Sequence, residues 1–290
     1  MATVGIDVGG SKVMVARRHG ETLDIREAAM PTNWGELVQL IAQHLESLGV
    51  SSSHAIGMGI PGVVQNSGTC WVPNCPALHG VNVTEALSRR FSTTVVIDND
   101  ARLALWAESQ RGGAQGRRNV LLVAVGTGIG GAIMMDGQIM RGNRGTAGAF
   151  GWLLMGDPPM WPTWESRASG KALDLIARDV GSPDGPRLVR DVRQRGSGRF
   201  PTFLRWIEAL GVGIASLISI FDPEMVLVSG GIARDADVVM PLLQDVVQRH
   251  SSPSTRSVRV ETAALGHQAV VWGAVLKAEE HASTSQGGTK

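Results

Sequence analysis

The sequence predicts an α/β protein made of two lobes that share one topology. Short apolar strands alternate with amphipathic helical segments along most of the chain, which is the pattern of the α/β class. The segment IDVGGSKVMVA near residue 6 is echoed by AVGTGIGGAIMM near residue 124, so that strand, glycine turn and strand occur twice. The 37 glycines cluster at strand ends, which indicates backbone that approaches a neighbour closely. We therefore expect two similar lobes that face a shared cleft.

Composition and charge argue against several classes of protein. The chain has 290 residues, 43% of them hydrophobic, which suits one large domain or two linked lobes. A net charge of +1 gives no overall field for nucleic acid or membranes, and no apolar run approaches the roughly 20 residues of a membrane span. The amino terminus lacks the regions of a signal peptide, and two cysteines make no disulfide framework. We expect a cytoplasmic protein without nucleic-acid or membrane partners.

In the first half of the chain, apolar runs and turn residues define the elements. Asn33 begins a helix as in a capping box with Glu36, and Gly49 ends it. The apolar residues of this helix share one face: Leu37, Ile41, Leu45 and Leu48. The other elements predicted here are strands at 3–8 and 12–17, which form a hairpin, strands at 54–60 and 94–97, and a helix at 101–108.

Residues 112–116, GGAQG, form the predicted linker, after which the pattern restarts. Asp136 and Gly137 are expected to form a hairpin turn. The elements predicted beyond the linker are strands at 120–125, 132–135, 225–229 and 257–261, and helices at 169–180, 202–220, 237–250 and 269–279. Residues 281–290 are polar and rich in Gly and Ser, and we expect a flexible tail there.

Three glycine turns follow predicted strands, and each can direct backbone N–H groups at an anion. They are Gly9-Gly10, the 126–131 loop and Gly230-Gly231. One such turn alone is weak grounds for a phosphate site, whereas two in matched positions and a third after Ser229 favour one. None is a Walker motif, because no G-x-x-x-x-G-K-[ST] occurs.

Taken together, these segments resemble the ROK family of bacterial sugar kinases and regulators, within the actin-like ATPase superfamily. The matching pieces occur in family order over nearly the whole chain: GIDVGGSK, IGMGIPGVV, IDNDA, VGTGIGGA, GTAGAFG, ESRASG, DPEMVLVSGGI and ALGHQAVVWGA. The resemblance implies a homodimer whose chains have two actin-like (ribonuclease H-like) lobes, with ATP and a sugar in the cleft between them.

Applied to this chain, the resemblance implies an amino-terminal lobe at 1–116, with the sugar site and the first phosphate loop. The carboxy-terminal lobe at 117–280 would hold the second phosphate loop and the adenosine site. A helix at about 268–280 could pack back onto the first lobe.

Asp7 lies at a strand end beside the first glycine turn and is the candidate for holding Mg²⁺ through water. A carboxylate cannot favourably touch phosphate directly, but it can hold the ion or its waters. The alternative is an aspartate that only caps the turn. Lys12 is expected to balance phosphate charge. The other residues expected at the ATP phosphates are Gly9, Gly10, Ser11, Gly126, Thr127, Gly128, Gly230 and Gly231.

Asp100 is the candidate general base, which would accept a proton from a sugar hydroxyl as that oxygen attacks the γ-phosphorus. The alternative is that Asp100 only caps the helix that follows it. Asn99 is expected to bind neighbouring hydroxyls. Gly59, Pro61 and Gly62 would form the wall against which the sugar lies.

The stretch GTAGAFGWLLMGDPPMWPTWESRASG departs from the family pattern. Most members have G-x-A-G-E-x-G-H, whose Glu and His hold the sugar hydroxyls at C1 and C2; this chain has Ala149 and Trp152 at those positions. The family cysteine cluster, which binds a structural zinc together with that His, is replaced by DPPMWPTW, so we expect no zinc. The Glu of the family motif E-x-x-x-S-G is retained as Glu165, which we expect at the sugar.

The tryptophans of this stretch have two interpretations. Trp152, Trp161 and Trp164 either fill the volume that the metal loop organises in relatives, or Trp152 stacks on the apolar face of the sugar. The prolines expected to stiffen the loop are Pro158, Pro159 and Pro162. Another segment offers three possible metal ligands, Cys70, Cys75 and His79, which is a thin basis for a metal site.

The sequence therefore predicts an ATP- and Mg²⁺-dependent kinase for a small-molecule sugar. The expected substrate is a hexose or a modified hexose, including an amino or N-acyl sugar, phosphorylated at its 6-hydroxyl. The alternative is a non-catalytic regulatory protein that binds ATP and sugar, because the sugar-site Glu and His are missing. The kinase is favoured because Asp7, Asp100 and both glycine loops are retained.

Overall fold

A computed structural model of the chain describes residues 3–50, 55–65, 69–72, 75–156, 160–193 and 198–287. The chain forms two compact units. The segments of unit 1 are Met1–Gln110, Arg141–Thr146 and His267–Lys290, and those of unit 2 are Arg111–Met140 and Ala147–Gly266. The predicted boundary at residue 116 lies inside unit 2, and the return of 141–146 to unit 1 has no counterpart in the prediction.

Unit 1 is built on a five-stranded mixed sheet in the order β3-β2-β1-β4-β7. The elements of its amino-terminal part are β1 (Val4–Val8), β2 (Lys12–His19), β3 (Thr22–Ala29), α1 (Trp34–Ser47), β4 (Ile56–Ile60), β5 (Val63–Val64), β6 (Cys70–Trp71), α2 (Val83–Phe91), β7 (Val95–Asn99) and α3 (Asp100–Arg111). Strands β1, β2 and β3 pair antiparallel, whereas β1, β4 and β7 run parallel. The predicted first hairpin is therefore confirmed, and it continues into a third strand.

Helix α1 begins and ends where the sequence predicts. The side chain of Asn33 accepts a hydrogen bond from the backbone N–H of Glu36 at 3.0 Å, and Gly49 takes a positive φ of 63° after the last turn. The predicted apolar face is buried in the core of unit 1, where it packs with residues of β1, β4 and β7. Local capping and periodicity thus determine this element.

Unit 2 repeats the same plan with a sheet in the order β10-β9-β8-β11-β12. Its elements are β8 (Val120–Val125), β9 (Ile129–Met135), β10 (Gln138–Ile139), α4 (Trp164–Ala168), α5 (Gly170–Asp179), α6 (Gly185–Arg193), α7 (Phe200–Phe221), β11 (Met225–Gly230), α8 (Ala236–His250) and β12 (Arg259–Thr262). Strands β8 and β9 pair antiparallel, as β1 and β2 do, and β8, β11 and β12 run parallel. Asp136 and Gly137 take positive φ in the turn between β9 and β10, as predicted.

Helix α7 is long and apolar enough to cross a membrane by length and composition, with a mean hydropathy of 1.6 in its most apolar window. The sequence predicts this helix, at 202–220, but not that its composition resembles that of a membrane span. Phe203, Trp206 and Leu210 on α7 are fully buried within unit 2. These three side chains belong to the main apolar cluster of that unit. The apolar composition of α7 is therefore accounted for by a place in the core.

The last helix, α9 (Ala269–Gly287), packs on β1 and β4 of unit 1. Helix α9 approaches these strands so closely that only glycine fits at positions 5 and 57. A Cβ atom built on Gly5 would lie 2.3 Å from the carbonyl oxygen of Val271, and one on Gly57 would lie 1.8 Å from that of Ala274. Residues 281–287, assigned to a flexible tail from their composition, are helical; no proline or glycine occurs between Ala274 and Gln286.

Candidate active site

The parallel strands of unit 1 bring the predicted sugar and base residues to one edge of the sheet. Asp7 of β1 pairs with Gly59 of β4, and Gly59 pairs with Asp98 of β7. Asn99 pairs with Ile60 one step further along, and Asp100 follows it. Ligands of open α/β sheets bind outside the carboxyl ends of parallel strands, which is where these side chains lie.

The first glycine turn joins β1 to β2 at this edge. The backbone N–H of Gly9 donates to the carbonyl of Lys12 at 2.9 Å, and Gly10 and Ser11 form the exposed tip. The Lys12 ammonium lies 3.0 Å from a carboxylate oxygen of Glu27 in a solvent-exposed pair. Such exposed pairs contribute little to stability, so Lys12 can exchange this partner for a phosphate at small cost.

Asp7 and Asp100 are half-buried carboxylates whose pKa values are raised above that of a free aspartate. Burial and, secondarily, the negative charge of Asp100 raise the pKa of Asp7 to about 7, although Lys12 lowers it. Burial raises the pKa of Asp100 to about 6, against the lowering effects of the Ala101 backbone N–H and of Arg102. Two such carboxylates are poised to bind a cation or a proton.

Helix α3, which begins at Asp100, is capped by Asn99, the residue before it. The side-chain oxygen of Asn99 accepts a hydrogen bond from the backbone N–H of Arg102 at 3.2 Å, which is the geometry of an N-cap. The amide nitrogen of Asn99 donates to the carbonyl of Gly62 at 3.1 Å, so Asn99 also ties β7 to the turn after β4. The Asp100 carboxylate accepts a bond from the N–H of Ala101 at 2.7 Å, and the Asn99 side chain also interacts with it. The capping alternative raised for Asp100 thus describes Asn99.

The glycines of the predicted sugar wall, Gly59 and Gly62, have no room for a side chain because neighbouring atoms of unit 1 occupy that space. A Cβ atom on Gly59 would lie 2.4 Å from a methyl carbon of Val270, and one on Gly62 would lie 2.3 Å from the carbonyl oxygen of Trp71. Glycine at both positions is therefore required by packing within unit 1. The contact of Gly59, Pro61 and Gly62 with a sugar stays a prediction.

In unit 2, the second glycine turn joins β8 to β9 and is held by helices α4 and α5. The N–H of Gly126 donates to the carbonyl of Gly128 at 3.0 Å, and the N–H of Gly170 donates to the carbonyl of Gly126 at 2.8 Å. Thr127 at the tip is exposed. The loop is thus fixed at its base, while its tip is open to a ligand.

Glu165 of α4 supports this loop directly. One of its carboxylate oxygens accepts a hydrogen bond from the N–H of Ile129 at 2.8 Å. The same oxygen would lie only 2.2 Å from a Cβ atom on Gly128. Glu165 is expected at the sugar from the sequence, and its contact with the loop has no signal there because Glu165 and Ile129 are 36 positions apart in the chain.

The third glycine turn lies beside the second. Gly230, the last residue of β11, pairs in parallel register with Val125, the residue before Gly126. Its φ of 90° and a Cβ position 2.3 Å from the carbonyl oxygen of Val125 require glycine. Gly231 then begins a short 3-10 turn. Unit 2 therefore brings two of the three predicted phosphate turns together.

The three tryptophans of the divergent loop have different environments. Trp164 is fully buried, and its indole N–H donates to the carbonyl of Ala209 at 2.9 Å. Trp152 and Trp161 are 71% and 54% exposed. The space-filling interpretation therefore fits Trp164, whereas Trp152 and Trp161 are largely exposed.

The loop keeps its shape through its own backbone. The N–H of Met155 donates to the carbonyl of Pro162 at 2.8 Å, and Leu154 bridges to Thr163 in antiparallel fashion. The predicted stiffening residues Pro158 and Pro159 lie outside the described residues.

Cys70 and Cys75 belong to the apolar core of unit 1, whereas His79 is exposed. Burial raises the pKa of both thiols, which disfavours the thiolate that a metal needs. Within the described residues, no group of three or more His, Cys, Asp or Glu side chains is arranged to hold a metal ion. The absence of zinc from the protein stays a prediction.

The structure also shows an ion pair that the sequence analysis did not single out. Asp98 and Arg102, which flank the Asn99-Asp100 corner, are both buried and paired at 2.6 Å. Asp98 lies in strand β7 and Arg102 in the first turn of α3, so helical spacing gave no signal for this pair.

Comparison with known proteins identifies the group to which the chain is related. The family model described as "ROK family" matches residues 3–281. The chain belongs to the ROK family. The glucokinase of Streptomyces coelicolor is 30% identical over 96% of this chain and 98% of its own length. The N-acetyl-D-glucosamine kinase of Pectobacterium atrosepticum is 24% identical over 94% of this chain and 97% of its own length.

A solved ROK structure gives the same fold. The crystal structure of a ROK family glucokinase from Streptomyces griseus, in complex with glucose and AMPPNP, matches with a TM-score of 0.82 and 26% identity. The match covers 97% of this chain and 100% of that one. The predicted α/β class with an actin-like fold is thereby confirmed.

Proposed function

We propose that this ROK protein is an ATP-dependent sugar kinase that phosphorylates a hexose or modified hexose at its 6-hydroxyl, with Asp100 as general base. The observation that carries the proposal is the strand register that aligns Asp7, Gly59 and the Asn99-Asp100 corner at one edge of the unit 1 sheet. The similarity to glucokinases and to an N-acetyl-D-glucosamine kinase supports the reaction class.

Asp100 has the properties that a base needs. Its Oδ1 accepts a hydrogen bond from the Ala101 N–H at 2.7 Å, and its other oxygen would accept one from the substrate hydroxyl. A pKa of about 6 keeps it ionised at neutral pH while giving it more basicity than a free aspartate. It would take the hydroxyl proton as the sugar oxygen forms its bond to the γ-phosphorus.

ATP and Mg²⁺ are the proposed co-reactant and cofactor. AMPPNP, a nucleotide, occupies the similar Streptomyces griseus enzyme, which supports ATP as the donor. The half-buried carboxylates of Asp7 and Asp100 offer the hard oxygen donors that Mg²⁺ prefers, and Asp7 would hold the ion through water. The ion, when bound, would offset charge on the phosphates; phosphoryl transfer depends mainly on such neutralisation and on positioning.

The glycine turns would bind the phosphates through backbone N–H groups. In unit 1 these belong to Gly10 and Ser11, with Lys12 as the cation. The N–H of Gly9 donates to the Lys12 carbonyl, so Gly9 would contribute the close approach of the turn. In unit 2 the turn residues are Gly126, Thr127, Gly128, Gly230 and Gly231. The hydrogen bonds that fix the base of the second turn support a loop organised before the ligand arrives, which lowers the ordering cost of binding.

The sugar is proposed to be modified near C1, C2 or C3. Ala149 cannot accept a hydrogen bond from a hydroxyl, and Trp152 offers one N–H donor and a large apolar face. The 71% exposure of Trp152 leaves that face available for stacking. A hydroxyl left unpaired there would cost about 1–3 kcal/mol, so fewer hydroxyls and bulkier groups at this end are favoured.

A coupled assay of ADP release with a panel of sugars tests the function. The panel compares glucose with its 2- and 3-substituted and N-acylated analogues, with turnover and the best kcat/KM expected for a modified hexose. Asp100→Asn should lower kcat by about 10²-fold or more while sugar binding persists, because the amide keeps the shape but cannot take the proton. Asp24→Asn, an exposed aspartate on β3, is the matched control.

Near-normal kcat in Asp100→Asn would refute the assignment of the base. Tight ATP binding with no turnover on any sugar would favour the regulatory alternative instead. Preference for plain glucose, at the efficiency of an ordinary glucokinase, would refute the argument from Ala149 and Trp152.

A further inference from the structure

A buried ion pair lies directly behind the Asn99-Asp100 corner. The Nε and Nη2 atoms of Arg102 lie 2.7 and 2.6 Å from one oxygen, Oδ1, of Asp98. Arg102 is 2% exposed and Asp98 is 6% exposed. Charges this deep are expensive to bury; here Nε makes a hydrogen bond to Asp98, whereas Nη2 is close enough for an ion pair but makes no hydrogen bond.

Arg102 also binds a third part of unit 1. Its Nη1 donates to the carbonyl of Gly145 at 2.8 Å. Gly145 belongs to the 141–146 segment, and it takes a positive φ of 72° there. From the same segment, Arg141 lies 3.4 Å from the second oxygen of Asp98. The pair therefore connects β7, α3 and the 141–146 segment.

Residue 102 reaches the corner through its backbone as well. Its N–H is the donor that the side chain of Asn99 accepts, and Asn99 in turn donates to Gly62. Asp98 accepts a further bond from the N–H of Asn99 at 2.7 Å. Asn99, the residue before Asp100, is thus held both by the backbone of Arg102 and by Asp98, the ion-pair partner of Arg102.

We propose that Arg102 is a positioning residue for phosphoryl transfer, whose guanidinium fixes the Asn99-Asp100 corner to Asp98 and to the 141–146 segment. This inference rests on the proposed function, because it assigns Asp100 the role of base. Arg102 acts through Asn99 and Asp100 and does not itself touch the reacting atoms. Its removal should alter the placement of the base more than the binding of ATP.

The test compares Arg102→Met and Arg102→Lys with Arg18→Met as the control. Arg18 is also partly buried in unit 1, and its Nη1 pairs with Glu279 at 2.8 Å, away from the corner. Arg102→Met should lower kcat by about 10- to 100-fold, with KM for ATP within about twofold of wild type, since a misplacement of about 1 Å can cost 10²-fold. Arg18→Met should lower the melting temperature but leave kcat within about twofold.

Arg102→Lys keeps the charge but cannot bind Asp98 and Gly145 with one planar group. We expect it to fold and to lose about tenfold in kcat, which keeps the test decisive if Arg102→Met does not fold. Wild-type kcat in a folded Arg102→Met or Arg102→Lys would overturn the inference, as would equal losses of kcat in Arg18→Met. If Asp100→Asn also retains kcat, the assignment of Asp100 as base, on which this inference rests, has failed; if Asp100→Asn is inactive, only the role of Arg102 has.

Discussion

Replacing Gly128 by alanine should damage the second glycine turn through one identifiable contact. The new Cβ atom would lie 2.2 Å from Oε2 of Glu165 and 2.9 Å from its carboxyl carbon. Non-bonded carbon contacts are favourable at about 3.5–4.0 Å, so the carboxylate must retreat by roughly 1 Å or more. That movement would break its 2.8 Å hydrogen bond from the N–H of Ile129.

The size of the effect follows from that bond. A hydrogen bond to a charged group contributes about 1.5–3 kcal/mol, and about 1.4 kcal/mol corresponds to a factor of ten. If the whole loss falls on the phosphate-binding conformation of the loop, KM for ATP should rise roughly 10- to 100-fold. The sugar KM and the melting temperature should change much less, since the carboxylate lies at the end of a flexible side chain.

The assay is ADP release at varied ATP, with Gly130→Ala as the control. Gly130 lies two residues further on in β9, and a Cβ atom there meets nothing within 4 Å. The double variant Gly128→Ala/Glu165→Ala should be no worse than Glu165→Ala alone, because the clash is then gone. An unchanged KM for ATP in Gly128→Ala, or strict additivity in the double variant, would refute this reasoning.

Two further predictions concern pH and metal content. The kcat/KM for sugar should fall about tenfold per pH unit below about pH 6 and level off above it, because Asp100, with its pKa raised to about 6, accepts a proton only when ionised; a profile that stays flat down to pH 5 would contradict this. Metal analysis of protein purified without added zinc should find none in stoichiometric amount, whereas one zinc per chain, lost together with stability on chelation, would point to Cys70, Cys75 and His79.

Local signals explain which elements could be predicted from the sequence. The capping pair of Asn33 and Glu36 and the glycine that follows α1 act within a few residues, and the structure reproduces them. Helix α2 begins with the same capping pair: the side chain of Asn82 accepts a hydrogen bond from the N–H of Glu85 at 3.2 Å, and the sequence prediction lacks this helix. The edge strand β3 was missed because its charged, exposed pattern lacks the apolar run expected of a strand.

The site was predictable to the extent that it depends on the ends of strands. A glycine or an aspartate directly after an apolar run indicates a turn at a sheet edge, and parallel strands then align Asp7 with Gly59. The support of Glu165 for Ile129 and the bond from Arg102 to Gly145 join residues about 40 positions apart. No periodicity or spacing encodes such contacts, so they could be found only in the folded chain.

The close packing of α9 on β1 and β4 has a consequence for synthesis. On the ribosome, the strands that carry Asp7 and Gly59 emerge early, but the helix that covers Gly5 and Gly57 begins only at residue 269. At about 5–20 residues per second, the glycine-lined face stays bare for roughly 10 to 50 s. Unit 2 has all its segments before that helix, so it can fold first, while unit 1 remains open to aggregation or to chaperone binding until translation reaches its last helix.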